Sequence, residues 1–383
     1  MKFEISRSLL DNTLQSVSKG LSNKTPLPIL MGIQLIAKED QLTFITTNKE
    51  ISVRVILEKS EDLDIVEEGS CVVPGKYFVD IVKRIEGEKV EFALFDSTTI
   101  KIYSKNSDFT LRAYEKSNFP NTNFDLNSQP LILKSKELKQ IVKQTAFACS
   151  TTEERIILTS VNLTIKDNQL TVIATDSFRL ARRTSTISSD FNSRIQINIP
   201  CKSLEEFSKI LNDYNDDVKV FISNNQVLFK VANLSFMSRL VEGSYPDTSS
   251  LIPNDFLLSI KLNREELISV VNRASLFIDS ENISFVKFTL SRNSNNIEIS
   301  SNSTEIGRVV ESLRPLEVSD EQDFQIAFST KFLMDALKAF ETQEVIMYFR
   351  GEIRPAIITS ESNTELKQLL IPGNQKIKKT QTI

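Results

Sequence analysis

The sequence predicts an α+β fold of three repeated domains, each with two helices packed on antiparallel sheets. Three strand-like segments resemble one another, and the first two share the order Gln-Leu-Thr: Lys38–Asn48, Lys166–Asp176 and Ser291–Asn302. Prolines near the end of each copy repeat with one period of about 126 residues, at Pro120, Pro246 and Pro372. Two independent markers with the same period indicate three domains of ordinary size.

Each repeat opens with a predicted helix and carries a second one in its latter half. Apolar residues recur at helical spacing in all six segments: Leu10, Leu14 and Val17; Phe78, Ile81 and Val82; Leu138, Ile141 and Val142; Leu204, Phe207 and Leu211; Leu267, Val270 and Val271; Leu333, Leu337 and Phe340. Runs rich in β-branched and aromatic residues predict strands, for example Lys89–Phe95, Val218–Ile222 and Ile346–Phe349. Each domain should therefore be two helices over several strands.

Segments rich in Asn, Ser and Pro mark the boundaries between the repeats. We expect domains at residues 1–125, 129–251 and 253–374, followed by a basic, disordered tail at residues 375–383. The repeat pattern predicts the architecture and leaves the function open.

The composition argues against an enzyme. The chain has no histidine and only nine glycines, so the commonest general base and the Gly-rich phosphate loops are absent from it. Cys71, Cys149 and Cys201 lack metal-ligand spacing and are expected to be small buried side chains. We expect no cofactor and no metal. Because there is no long apolar run and no apolar leader at the start, we expect a cytoplasmic protein without a membrane partner.

Charge is distributed unevenly along the chain. There are 46 basic and 50 acidic residues, for a net charge of −4, yet basic residues outnumber acidic ones on the predicted helices. The basic helix residues of interest are Lys76, Lys83, Arg84, Lys136, Lys139, Lys143, Lys202, Lys209, Lys331 and Lys338. On any one helix such residues are more often a solvated face. Repeated in all three domains, they also suit a weakly positive surface that meets DNA phosphates without gripping them.

Three dispersed segments resemble one known family. They are MKFEISRSLLDNTLQSVSKGL at the start, VIATDSFRLARR at Val172–Arg183 and VEGSYPDTSSLIP at Val241–Pro253, and they resemble the bacterial DNA sliding clamp, the beta subunit of DNA polymerase III. The resemblance extends from Met1 to about Pro372. It implies three DNA-clamp domains per chain and a head-to-tail homodimer that forms a six-domain ring. Such a ring encircles double-stranded DNA topologically, without regard to sequence, and does not catalyse a reaction.

The resemblance also implies partners and site residues. The partners are the catalytic subunit of the replicative polymerase, the clamp loader and repair proteins, bound through a hydrophobic peptide pocket between the second and third domains. The pocket residues carried over are Arg155, Ile157, Leu158, Thr175, Ser177, Phe178, Arg179, Leu180, Pro246, Leu251, Leu369 and Ile371. In this mostly apolar set, Thr175 and the two arginines would be polar guides. Without the resemblance, Leu158, Leu180 and Leu369 would be interpreted as core residues.

Other positions carried over from the family concern the subunit interface and DNA. Phe109, Leu111, Leu276 and Phe277 match the interface, and Lys24 matches a basic position that touches DNA. The sequence departs from the family pattern at two places. Ser177 and Phe178 replace the usual Gly-His, and Asn374 stands where the family often has Arg. Both departures affect the shape of the pocket mouth.

Two other functions remain open from residues alone. Glu153, Glu154 and Asp176 could serve a magnesium-dependent nuclease, although Asp176 lies in a Thr-Asp-Ser turn where Asp is a common turn former. A purely structural array of β-rich repeats is the second alternative, and open polymerisation in place of closure would distinguish it from a ring.

Overall fold

The computed structural model describes residues 1–383 except 23, 127, 188–193, 254, 277–284, 293, 304–306, 321 and 374–383. Its described residues contain six α-helices, one pair for each predicted repeat. The helices are α1 (Arg7–Val17), α2 (Gly75–Arg84), α3 (Ser135–Thr145), α4 (Cys201–Ile210), α5 (Arg264–Ala274) and α6 (Thr330–Lys338). The six helices predicted from apolar spacing are thus confirmed.

The strands follow in chain order. They are β1 (Lys2–Ser6), β2 (Gly32–Lys38), β3 (Gln41–Thr47), β4 (Ile51–Glu58), β5 (Leu63–Glu67), β6 (Gly69–Pro74), β7 (Lys89–Leu94), β8 (Thr99–Ser104), β9 (Ser107–Arg112), β10 (Leu131–Lys134), β11 (Ser160–Lys166), β12 (Gln169–Thr175), β13 (Arg179–Thr186), β14 (Ile195–Pro200), β15 (Asp217–Ile222), β16 (Gln226–Val231), β17 (Leu234–Arg239), β18 (Leu258–Asn263), β19 (Phe285–Leu290), β20 (Ile297–Ser303), β21 (Gly307–Leu313), β22 (Glu317–Val318), β23 (Phe324–Ser329), β24 (Glu344–Phe349), β25 (Ala356–Ser360) and β26 (Asn363–Leu370).

Helix starts and buried faces follow from local sequence. The Ser6 hydroxyl caps α1 by accepting a hydrogen bond from the Leu9 N–H, and the Asn263 side chain caps α5 by accepting from the N–H groups of Glu265 and Glu266. Side-chain oxygens at this position satisfy backbone donors that the first turn leaves unpaired. The apolar residues of each helix then bury one face; Leu10 and Leu14, for example, are fully buried.

One compact unit comprises residues 1–139 and 202–240. It contains a five-stranded sheet in the order β5-β1-β7-β8-β9 and an eight-stranded sheet in the order β10-β15-β16-β17-β4-β3-β2-β6. Antiparallel pairing of β17 with β4 joins strands of the first and second repeats, with Phe236 opposite Val53. Strand β9 lies at the edge of the five-stranded sheet, where it pairs with β8.

The second compact unit comprises residues 140–201 and 241–383. It contains a nine-stranded sheet in the order β14-β11-β12-β13-β26-β25-β24-β18-β22 and a four-stranded sheet in the order β21-β20-β19-β23. Pairing of β13 with β26 joins the second and third repeats. Helices α5 and α6 pack on a core that includes Phe288, Phe328 and Phe349.

The three repeats do not coincide with the two compact units. The middle repeat contributes β10 and β15–β17 to a sheet of the first unit and β11–β14 to a sheet of the second. Hydrogen-bonded sheets therefore continue across the repeat boundaries, and the domain limits proposed from the sequence stay predictions. Among the described residues, no helix combines the length and apolar character needed to cross a membrane.

Candidate binding site

Several of the predicted pocket residues meet where β13 pairs with β26 in the nine-stranded sheet. Leu180 lies directly opposite Leu369, and Arg179 lies opposite Leu370. One residue beyond the strand ends, the Ile371 N–H donates a hydrogen bond of 3.0 Å to the Phe178 carbonyl. Residues nearly two hundred positions apart in the chain are therefore neighbours here only because these two strands pair.

Six of the predicted pocket residues divide into a buried set, the predicted floor, and an exposed set, the predicted rim. Leu158, Leu180 and Leu369 are 3%, 1% and 5% exposed, whereas Phe178, Leu251 and Ile371 are 63%, 48% and 43% exposed. The first three are thus core residues as well as floor, and the rim side chains are the ones that a partner could remove from water. We refer to these six residues as the docking site. Exposed apolar groups over an apolar floor suit a short peptide with buried anchors.

A tight turn at residues 175–179 presents Phe178. The Asp176 carboxylate accepts hydrogen bonds from the N–H groups of Phe178 and Arg179, at 2.9 and 3.0 Å, and the Thr175 hydroxyl donates to the Arg179 carbonyl at 2.6 Å. Ser177 has a positive φ of 78°. Asp176 is therefore the turn former that the sequence predicted, while Glu153 and Glu154 are exposed on a separate 3₁₀ segment, Glu153–Thr159.

Two further segments adjoin the turn. The Thr175 N–H donates to the Tyr245 hydroxyl at 3.1 Å, and burial raises the pKa of Tyr245 well above its usual value of 10. Pro246, next to Tyr245, is half-buried. A Cβ on Gly243 would lie 3.7 Å from the Ile157 side chain, so the predicted lining residue Ile157 also belongs to this neighbourhood.

The two predicted arginines differ from each other. The Arg179 guanidinium is buried and bonds inside the protein: Nε lies 3.0 Å from Asp176, Nη1 2.7 Å from Asp335 and Nη2 2.6 Å from the Phe147 carbonyl. Arg179 therefore bonds to groups of the protein itself, whereas we expected it to be a polar guide for a bound peptide. Arg155 is exposed, and its φ and ψ of −131° and 85° interrupt the 3₁₀ segment.

The structure adds residues that the sequence reasoning missed. Ile353 is 80% exposed in the turn between β24 and β25, and β25 borders β26 with Ala356 opposite Leu370. Gly373 follows the rim: its N–H donates to the Ala327 carbonyl, and a Cβ there would overlap the Phe285 ring. Because these neighbours depend on sheet pairing, no local sequence signal could have identified them.

The basic helix residues lie on the surface. All of the predicted DNA-facing side chains, Lys24 included, are exposed except the half-buried Lys139. Two of them form ion pairs, Lys143 with Glu341 at 2.8 Å and Lys209 with Glu206 at 2.6 Å. For the others, the described residues contain no ion-pair partner within 4.0 Å. Their charge is available to a polyanion.

Two of the four predicted interface residues lie on an edge strand. Phe109 and Leu111 are half-buried on the edge strand β9, opposite Ile102 and Ile100. Strand β21 is an edge of the four-stranded sheet, and Val310 on it is 49% exposed. Leu276 is 73% exposed just after α5, and Phe277 lies outside the described residues.

Arg273 anchors α5 to this edge strand. Its Nε and Nη2 atoms donate to the Glu311 carboxylate at 2.9 and 2.8 Å. The hydrogen bond from Arg273 holds the pKa of Glu311 below its ordinary value. The bidentate geometry fixes the end of α5, and with it Leu276, relative to β21.

Three family models match consecutive parts of the chain. They describe the N-terminal, central and C-terminal domains of the DNA polymerase III beta subunit and match residues 1–123, 132–247 and 249–374. The chain belongs to the DNA polymerase III beta subunit family. Members are DNA sliding clamps, and the chain is accordingly a non-catalytic processivity factor of DNA replication.

Individual relatives agree with this assignment to the clamp family. A beta sliding clamp of Staphylococcus epidermidis is 36% identical over 376 residues, which cover 97% of this chain and 99% of the relative. The crystal structure of the DNA polymerase sliding clamp from Bacillus subtilis is 35% identical and covers 98% of this chain and 99% of its own, with a TM-score of 0.94. The beta chain from Streptococcus pneumoniae is 30% identical with a TM-score of 0.91, covering 98% of this chain and 100% of its own. The predicted family and fold class are confirmed.

Proposed function

We propose that this clamp binds short, extended peptides of its replication and repair partners at the docking site, while two copies close head to tail around duplex DNA. The single observation that best supports the docking role is the 3.0 Å hydrogen bond that brings the exposed Phe178 and Ile371 together next to the buried pair Leu180 and Leu369. Solvent-exposed apolar side chains grouped at one place favour burial against a partner. The expected partners are the polymerase catalytic subunit, the clamp loader and repair proteins, all acting in the cytoplasm.

The rim is the place to test peptide binding. Replacing Leu251 and Ile371 together by Ala should weaken binding of a peptide with Leu and Phe anchors by about 2 kcal/mol, or roughly thirtyfold, because few contacts carry most of the energy. Both side chains are already partly exposed, so folding should change little. Fluorescence titration of a labelled peptide measures the affinity.

A matched control is available elsewhere on the chain. Phe95 is 65% exposed at the end of β7, and Phe95→Ala removes a comparable apolar surface far from β13 and β26 in the sequence. It should bind the peptide as tightly as wild type. Equal affinity for wild type and the Leu251/Ile371 double variant would show that the docking site is wrongly assigned.

Ring closure is proposed to use the strand edges. Unpaired edges invite further pairing, and β9 of one copy is proposed to add to β21 of the next, covering Phe109 and Leu111. Light scattering should then give about twice the chain mass of 43.4 kDa, and Leu111→Arg should give the single mass. A wild-type monomer, or a ladder of larger species, would contradict a closed dimer.

DNA is proposed to be retained by topology more than by affinity. The net charge of −4 disfavours tight phosphate binding, and the unpaired lysines provide weak contacts over which the ring can slide. A clamp loaded on a nicked circle should stay bound at high salt and leave when the circle is cut. Salt-resistant binding to a short open duplex would contradict this proposal.

A further inference from the structure

Arg179 is more extensively bonded than a pocket-lining residue needs to be. Its side chain is 7% exposed and joins three parts of one compact unit: Asp176 in its own turn, Asp335 on α6 and the Phe147 carbonyl after α3. The rings of Phe147 and Phe332 lie over the guanidinium, with centroids 5.3 and 4.4 Å from Cζ. This contact set fixes both the position and the plane of the group.

We infer that the Arg179–Asp335 ion pair positions the docking site, by holding the Phe178 turn against α6. This inference rests on the proposed docking function and assigns to it two residues that do not need to touch the peptide. Asp335 lies on a helix far from the turn in sequence, and its 2.7 Å contact with Arg179 Nη1 links that helix to the turn.

A short series of hydrogen bonds connects Asp335 to the rim residues. Asp335 bonds Arg179, Arg179 bonds Asp176, and Asp176 accepts the N–H of Phe178. The Phe178 carbonyl in turn accepts the N–H of Ile371. Loss of the Asp335 charge should therefore loosen both rim residues, because each bond in this series restrains the next one.

A second buried arginine provides the matched control. Arg183, four residues along β13, bonds Gln144 at 2.7 Å and Glu365 at 3.2 Å. It too joins β13 to the third repeat, but it lies at the other end of the β13–β26 pairing, where it faces Leu366. A variant at Glu365 thus removes a comparable ion pair without affecting the Phe178 turn.

The test compares Asp335→Asn with Glu365→Gln in the full-length clamp. At a temperature well below unfolding, Asp335→Asn should weaken binding of the anchor peptide about tenfold, and Glu365→Gln should leave it within about twofold. Asp335→Glu should restore part of the affinity. Thermal unfolding of both variants measures any general loss of stability. Such a loss would not by itself distinguish Asp335→Asn from Glu365→Gln.

A spectroscopic arm reports on the turn directly. The chain has no tryptophan, so Phe178→Trp introduces a single tryptophan at the rim, whose emission can be excited selectively over that of the tyrosines. In this background, Asp335→Asn should lower the anisotropy of the peptide-free protein, and Glu365→Gln should not. Unchanged anisotropy and affinity in Asp335→Asn would overturn the inference. If the Leu251/Ile371 double variant still weakens binding, the proposed docking function stands without it; if that variant also binds normally, the function itself fails.

Discussion

At the docking site one arginine is buried between two carboxylates and two aromatic rings, whereas the basic residues of α2 and α6 extend into solvent. Arg179 uses Nε, Nη1 and Nη2 in separate hydrogen bonds. Lys331 and Lys338 on α6 are exposed, and the described residues offer them no ion-pair partner. The two regions meet on one helix, since Asp335 lies between those lysines in sequence.

This difference separates two ways of binding. A site that selects particular peptides needs fixed geometry, and a buried cation with three hydrogen bonds provides it at the cost of sensitivity to substitution. A surface along which DNA slides needs many weak and interchangeable contacts, and unpaired lysines on long flexible stems provide those. The buried arginine therefore fixes the geometry of the peptide site, whereas the exposed lysines provide weak contacts with DNA that any phosphate can make.

The largest effect on stability is expected from replacing Arg179, the buried arginine at the docking site. Arg179→Ala removes all three hydrogen bonds and leaves Asp176 and Asp335 without their cation, so unfolding free energy should fall by about 3 kcal/mol. Urea unfolding followed by circular dichroism measures it. Arg308→Ala is the control, because the Arg308 side chain is 63% exposed and pairs with Glu298 only at 3.4 Å. A loss as small as that of the control would show that the Arg179 network contributes little.

The helices and the docking site also differ in how well the sequence predicts them. Helix α5 could be predicted because Leu267, Val270 and Val271 recur within one segment and Asn263 caps it, all local signals. The family resemblance supplied the residues of the docking site, but not the burial of Arg179. That burial depends on Asp335 and Phe147, which are distant in sequence and reach Arg179 only through tertiary folding.

The order of strands in the sheets could not be predicted from local sequence either. The repeat period predicted three domains, yet the pairing of β17 with β4 and of β13 with β26 distributes the middle repeat between two compact units. Strand periodicity fixes which face of a strand is apolar, not which strand is its neighbour. Ile353 was missed for this reason, because only the β25–β26 pairing brings its turn near Ile371.

A smaller and pH-dependent effect on stability is expected from Tyr245, which bonds the turn at the docking site. Tyr245→Phe removes the acceptor for the Thr175 N–H and should lower unfolding free energy by about 1 kcal/mol at neutral pH. Burial raises the pKa of Tyr245 in the folded protein, so its contribution is complete below pH 10 and is lost as pH rises beyond that value. The difference between wild type and Tyr245→Phe should therefore narrow above pH 10. Urea midpoints measured at pH 8 and pH 10.5 test this, and a constant difference would contradict it.

The smallest effect on stability should come from the lysines of α6. The variants Lys331→Ala and Lys338→Ala should each change the unfolding free energy by less than about 0.5 kcal/mol, because exposed side chains without partners contribute little to folding.

The effect of these lysine variants should appear in DNA binding. The slope of log affinity against log salt should fall by about 0.9 for each lysine that contacts a phosphate. Lys166→Ala is the control for each single lysine variant, since Lys166 is 64% exposed at the end of a strand, β11, instead of on a helix, and each of these variants loses one positive charge. An equal change of slope in the control would mean that net charge alone governs DNA contact. A change confined to the α6 variants would place that contact on the helix that also carries Asp335.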